Sequence, residues 1–299
     1  MLESLIAASR FLHYACLTVL FGILVFPLYA APVADTPSEW RWRIGQAAVP
    51  ALAGSVVSGV LWFLLTTAGM SGDLNAAGDP SALWTTLTQT PFGPLWSGRL
   101  LLALLLLAAL ARPIRPLARF APAVLSGLLL ASLALTGHTQ GQEGLQRLAH
   151  EAADALHLLA AGAWLGGLVM LAFVVRQALS PARSSIAPLL ARFSRMGYGA
   201  VAILVASGVV NGVYLIDRPR DLIATGYGRL LCVKMALFLA MVAFAAVNRF
   251  RISPALAEGH PDRALWLTRL SRNILLEQGL GAAVLAAAAV LGVIQPGPP

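Results

Sequence analysis

Lysine is almost missing from this chain: Lys234 is the only one, so that arginine supplies the rest of its 21 basic residues. No G-x-x-x-x-G precedes that lysine, which excludes a P-loop and the nucleotide hydrolysis it supports. Cysteine is scarce too. Cys16 and Cys232 are the whole complement, far apart in sequence, which excludes a zinc ribbon and a disulfide-stapled scaffold, and no bond between them is expected. The run HEAADALH has the form H-E-x-x-D-x-x-H and so lacks the second histidine of the H-E-x-x-H metalloprotease helix. No serine stands in a nucleophile-elbow context. Without any of these, the chain reads as a non-enzyme. Charge is also thin: 11% of residues are charged, against 58% hydrophobic, and the mean hydropathy is +0.77.

That balance belongs to an integral membrane protein, because water-soluble domains carry roughly twice the charge. A bilayer core of ~30 Å needs ~20 mostly apolar residues per helix. Eight such runs occur, at roughly 4–29, 47–70, 95–111, 119–137, 151–175, 196–216, 228–248 and 271–294. None shows the ~10-residue alternation of a transmembrane barrel. The expected fold is all-α: a polytopic bundle of about eight transmembrane helices forming one domain over 1–299, with four segments in 1–136 and the rest in 137–294. The first segment ends in LYAAPVA, where small residues offer a cleavage site. Glu3, the absence of a basic residue before Arg10 and the length of the apolar run instead favour a retained helix.

Basic residues near helix ends are held on the cytoplasmic side. Alternate loops carry Arg41 and Arg43; Arg112, Arg115 and Arg119; Arg176, Arg183, Arg192 and Arg195; and Arg249, Arg251, Arg263, Arg269 and Arg272. The intervening 71–94 loop has Asp73 and Asp79 and no basic residue. Both termini are therefore expected to face outward, into the periplasm if the membrane is a bacterial inner membrane. This asymmetry accounts for the net charge of +8, so the charge does not argue for nucleic acid.

On that map, four of the five histidines collect at one membrane face. His138 follows the fourth segment, His150 and His157 open the fifth, and His13 lies in the outer half of the first. His260 falls in the last cytoplasmic loop and reads as an ordinary loop residue. At ~100° per residue, His150, Asp154 and His157 return to one stripe, which Ala161 and Trp164 continue. Glu151 sits a step to the side. Ionisable groups inside membrane helices usually face the bundle interior or a wet cavity and are functional candidates. His150 and Glu151 are near enough to the interface to serve equally as a solvated helix start.

His13 and Cys16 lie i, i+3 on the first segment, and imidazole with thiolate suits copper or zinc. Cys16 alone reads as a small buried apolar residue. Lys234, inside the seventh segment, either snorkels to the surface or pairs with Asp154, Glu151 or the Asp217/Asp221 loop. Asn211 in the sixth segment is either a ligand or an interhelical hydrogen bonder beside Gly208 and Gly212. Gly162–Gly166 and Gly208–Gly212 repeat the small-xxx-small pattern and are expected to be helix-packing faces.

Several of these stretches, taken in order, resemble the copper resistance protein D (CopD) family of bacterial inner-membrane proteins. They are Gly137–His138, HLLAAGAWLGGL, Phe193–Ser194, Ser207–Gly208, Tyr227–Gly228 with Lys234, and the Asn248 end of the seventh segment. The resemblance runs from about residue 137 to 290, while the N-terminal half matches mainly in helix pattern and in His13. It implies copper handling at the inner membrane, with copper ion as cargo and either a separate periplasmic CopC-like carrier as a partner or none.

Six methionines do not form the spaced ladder of a thioether Cu(I) path, and imidazole with carboxylate suits Cu(II) as well. The expected ligands are His13, His138, His150 and His157. Asp154 or Glu151 would add a ligand, orient an imidazole or balance Lys234, and Cys16 and Met70 are softer alternatives. Inward cation movement gains ~2.3 kcal/mol per charge per 100 mV, which favours uptake without ATP. Two alternatives stay open at this stage: axial ligation of haem b by histidines of two helices, and delivery of copper to a cuproenzyme without transport.

Overall fold

The computed structural model describes residues 1–30, 38–111, 120–136, 144–179, 186–216, 218–257 and 261–294. Its long helices are α1 (Leu2–Ala30), α2 (Ser38–Ser71), α4 (Phe92–Ala111), α6 (Gly144–Ala178), α7 (Ala187–Leu215), α9 (Gly226–Val247) and α11 (Arg263–Leu291). Shorter pieces are α3 (Pro80–Gln89), α5 (Ala121–Ala131), α8 (Asp221–Ala224) and α10 (Ser253–Ala257). Among the described residues there is no strand.

Among the described residues, seven helical stretches are long and apolar enough to cross a bilayer, and they coincide with seven of the eight segments expected from hydropathy. The fourth segment differs. It is an 11-residue α-helix whose last turn tightens into five 3-10 residues, Ser132–Thr136, so it rises only ~26 Å. The 71–94 stretch is also more ordered than a loop. Asp79 caps α3 with its carboxylate, accepting from the Ser81 backbone N–H at 3.0 Å and from Ser81 Oγ at 2.7 Å, and Pro80 takes the first helical position. Those hydrogen bonds hold the exposed Asp79 carboxyl below the usual carboxylate range.

The bundle is organised around α1 and α6. Gly22 of α1 meets Gly162 and Gly166 of α6 backbone to backbone, and a Cβ on Gly166 would collide with the Thr18 carbonyl and with Gly22. Small residues permit that approach, which makes Gly162–Gly166 the packing face that its spacing predicts. Gly208–Gly212 does not behave this way. A Cβ on Gly212 would meet nothing within 4 Å, and one on Gly208 would meet only the His157 ring at 3.8 Å. That pair leaves room beside a polar side chain instead of closing a helix crossing. The α9 span is the most peripheral, with only 6% of its apolar window buried by protein, so Val233, Met235 and Leu239 are left for lipid.

Candidate functional site

The stripe His150, Asp154, His157 on α6 lies against α7 as an antiparallel polar ladder. The His150 ring stacks on Tyr214, with centroids 4.7 Å apart and planes at 15°. One turn deeper, Asn211 Nδ2 donates to Asp154 Oδ1 at 3.2 Å. Deeper again, His157 Nδ1 is 2.9 Å from Ser207 Oγ. Residues 150, 154 and 157 descending one helix thus meet 214, 211 and 207 on the other, which is what two antiparallel helices at i, i+3/i+4 spacing produce. Lys234 and Tyr227 of α9 flank this ladder. Both interact electrostatically with Asp154, and Lys234 also does so with His157.

Donor logic fixes the His157 tautomer. Ser207 spends its hydroxyl proton on the Ile203 carbonyl at 2.6 Å, so its oxygen accepts from His157 Nδ1–H. Nε2 then carries the lone pair, and the same ring also hydrogen-bonds the Leu204 backbone. An imidazole whose tautomer is fixed by a hydrogen bond at one nitrogen, leaving the lone pair on the other, is the arrangement of a metal-ligating histidine. Asn211 Oδ1 is buried with no hydrogen-bond partner.

His13 sits in a second cluster, between α1, α2 and α4. Its Nδ1 donates to the Ser55 carbonyl at 2.8 Å and lies 3.2 Å from Ser58 Oγ, while Arg99 Nη2 donates to its Nε2 at 3.0 Å. A carbonyl only accepts and a guanidinium only donates, so both ring nitrogens are committed. His13 therefore offers no lone pair to copper or to haem iron while Arg99 stays in place. Trp62 and Trp96 enclose its ring at 5.7 and 5.8 Å.

A third cluster lies toward the other end of α9. Glu277, 1% exposed, accepts from Asn248 Nδ2 at 2.6 Å, and Asn273 Nδ2 donates to Asn248 Oδ1 at 2.8 Å. Asn248 opens a π-helical turn, Asn248–Ile252, and such turns recur at functional sites. The sequence reading missed Glu277, Arg10 and Arg99. Each was findable as a charge inside an apolar segment.

The remaining expected residues scatter. Glu151, a step to the side of the stripe, pairs with Arg147 at 2.7 Å, one turn back on the same helix. Cys16 packs against Gly54, and Cys232 is exposed, each a free thiol. Met70 is exposed. Trp164 is 2% exposed and meets Phe238 edge-on, so it continues the stripe as core. His138, like His260 and Asp217, lies outside the described residues. Among the described residues, no three His, Cys, Asp or Glu side chains converge as a metal cage.

A family model for the copper resistance protein D-like N-terminal domain matches residues 1–148, and one for copper resistance protein D matches 187–291. Copper resistance protein D of Pseudomonas syringae pv. tomato is 35% identical, over 98% of this chain and 97% of its own length. The chain belongs to the copper resistance protein D family. The N-terminal match extends the likeness over helices whose motifs alone were weak. Inner membrane protein YebZ of Escherichia coli (strain K12) is 30% identical over 97% of both chains. Copper transport protein CutJ of Bacillus subtilis (strain 168) is 29% identical over 98% of this chain but 53% of that longer protein. Membership in this family establishes a role in copper handling and assigns no residue to it.

Proposed function

We propose that the protein conducts copper ions across the bacterial inner membrane, from periplasm to cytoplasm, without nucleotide hydrolysis and without acting as an enzyme. The observation that carries this reading is the α6–α7 ladder, a file of polar side chains running into an apolar bundle and ending on His157, whose Nε2 carries the lone pair. Both termini face the periplasm, in keeping with the arginine-rich alternate loops. The ladder then starts at the periplasmic end of α6, where copper from a CopC-like carrier would arrive.

His157 is the deepest ligand of the site, with His150 and Asp154 above it and His138 assigned from sequence alone. Cys16, Met70 and Glu151 drop to lesser roles because of where they point. His13 joins only if Arg99 releases its Nε2. An ion bound through so few side chains is held weakly enough to move on, as conduction requires. Asp154 gives the passing cation a counter-charge, shared with Lys234, and either Cu(I) or Cu(II) fits imidazole and carboxylate.

Metal analysis and visible absorption of the detergent-purified protein, with and without added copper, test the site. About one copper per chain is expected, reduced at least tenfold in affinity by His157→Ala, as loss of a ligand or its support does. No Soret band should accompany it. Copper binding unchanged in His157→Ala, or a Soret band lost in that variant, contradicts the assignment.

A further inference from the structure

Glu277 lies in the apolar stretch of α11, 1% exposed, and no basic side chain forms a salt bridge with it among the described residues. Asn248 Nδ2 donates to its Oε1 at 2.6 Å. Asn248 in turn accepts from Asn273 Nδ2 at 2.8 Å, and Asn273 stands one turn before Glu277 on the same face of α11. These amides orient the carboxyl group and supply no charge. A carboxylate inside a membrane bundle needs a cation, supplied by a basic side chain, a metal ion or a proton. The first is absent here. A metal ion would want further charged or imidazole ligands, and no cluster of three His, Cys, Asp or Glu forms among the described residues. A proton needs only one oxygen.

The position of Glu277 separates it from the α6–α7 ladder. α6 and α11 run antiparallel: Arg263 Nη1 donates to the Ala178 carbonyl at 3.0 Å, and a Cβ on Gly281 would meet the Leu165 side chain. Leu165 is about two turns beyond His157 and Gly281 one turn beyond Glu277, which places the carboxyl ~18 Å further along the bundle than His157. Between them Trp164 is buried and meets Phe238 edge-on, and Met241 is buried too. On its other side the carboxyl leads outward, because Asn248 is only half-buried and opens the π-helical turn that carries Arg249 and the exposed Arg251. Charged groups on the elements packed against Glu277 are these two arginines, Arg272 on α11 itself and Arg176 on α6. Those of α1 lie toward its far end, where Arg10 adjoins Gly292, and α10 has none.

We propose that Glu277 is a proton-exchange site opening on the arginine-rich end of the bundle. The carboxyl group holds a proton at rest; its O–H bond breaks to release H⁺ to the water at that end, and the carboxylate left behind is a seat for a cation leaving the bundle. Its place on an exit route rests on the copper path proposed above, whereas the proton site itself does not.

Infrared difference spectra of the purified full chain between acid and alkaline pH, in H₂O and in D₂O, test the site without copper. The wild type should show a protonated-carboxyl C=O band that is lost on the alkaline side and shifts in D₂O, and Glu277→Gln, which keeps an acceptor for Asn248, should lack it. Glu277→Asp should retain the band at a displaced frequency, and it decides the matter if Glu277→Gln is not recovered folded. Identical spectra for the wild type and Glu277→Gln overturn the site, as does an undisplaced band in Glu277→Asp. So does a band that neither titrates nor exchanges, which is a proton locked in for packing, or one that appears only when sodium and potassium are removed, which makes the occupant an alkali cation. Copper uptake into vesicles reads the exit role: it should rise with lumenal pH in the wild type, a dependence lost in Glu277→Gln. Uptake by the wild type that ignores lumenal pH overturns that role, whereas no uptake at all counts against the copper path and leaves the infrared result to decide the proton site.

Discussion

Replacing Lys234 by methionine while Asp154 stays in place is expected to destabilise the protein by about 3–5 kcal/mol, because it removes the cation that balances the Asp154 carboxylate inside the bundle. The same change should stop copper movement, since an unbalanced Asp154 would bind the ion too firmly to release it. The double variant Lys234→Met/Asp154→Leu removes both charges and should recover most of the stability without recovering transport. Asn211 gives Asp154 a neutral hydrogen bond at 3.2 Å and no charge. Thermal unfolding of the four proteins of this cycle gives the coupling between the two residues directly. Additive effects would mean that Lys234 snorkels to the headgroups and leaves Asp154 to other partners.

The second large effect concerns the α1–α6 crossing. Gly166→Leu should abolish recovery of folded, monodisperse protein, because the new side chain meets the Thr18 carbonyl and the Gly22 backbone, neither of which can yield as a side-chain tip would. Gly212→Leu is the matched control: its Cβ enters open space, so folded yield should stay near wild type. Size-exclusion profiles of the two variants make the comparison. Equal behaviour would show that helix contact at Gly166 does not organise the bundle.

The two glycine pairs also show what sequence could and could not supply. G-x-x-x-G spacing is the same at 162–166 and 208–212, yet only the first meets a facing glycine, a fact that depends on Gly22 in a helix more than a hundred residues away. The His150, Asp154, His157 stripe was legible because helical periodicity is local. Its partners Tyr214, Asn211 and Ser207 became identifiable only once α6 and α7 were known to be antiparallel neighbours. His13 shows the same limit. Its i, i+3 relation to Cys16 is real, but Ser55 and Arg99, 42 and 86 residues on, decide what its ring does. The helix at Pro80–Gln89 was signalled by Asp79-Pro80, a cap followed by proline at the first turn, inside a stretch too polar to read as a span.

The central claim is that copper passes His157 on its way across the membrane. The direct measurement is copper uptake into sealed vesicles holding the purified protein, with and without an inside-negative potential, for the wild type and His157→Ala. Accumulation should rise with the potential, be absent from protein-free vesicles, and fall at least tenfold in the variant. Uptake equal in the two proteins would remove His157 from the path. No uptake by a wild type that binds copper would make the protein a copper receptor and contradict transport.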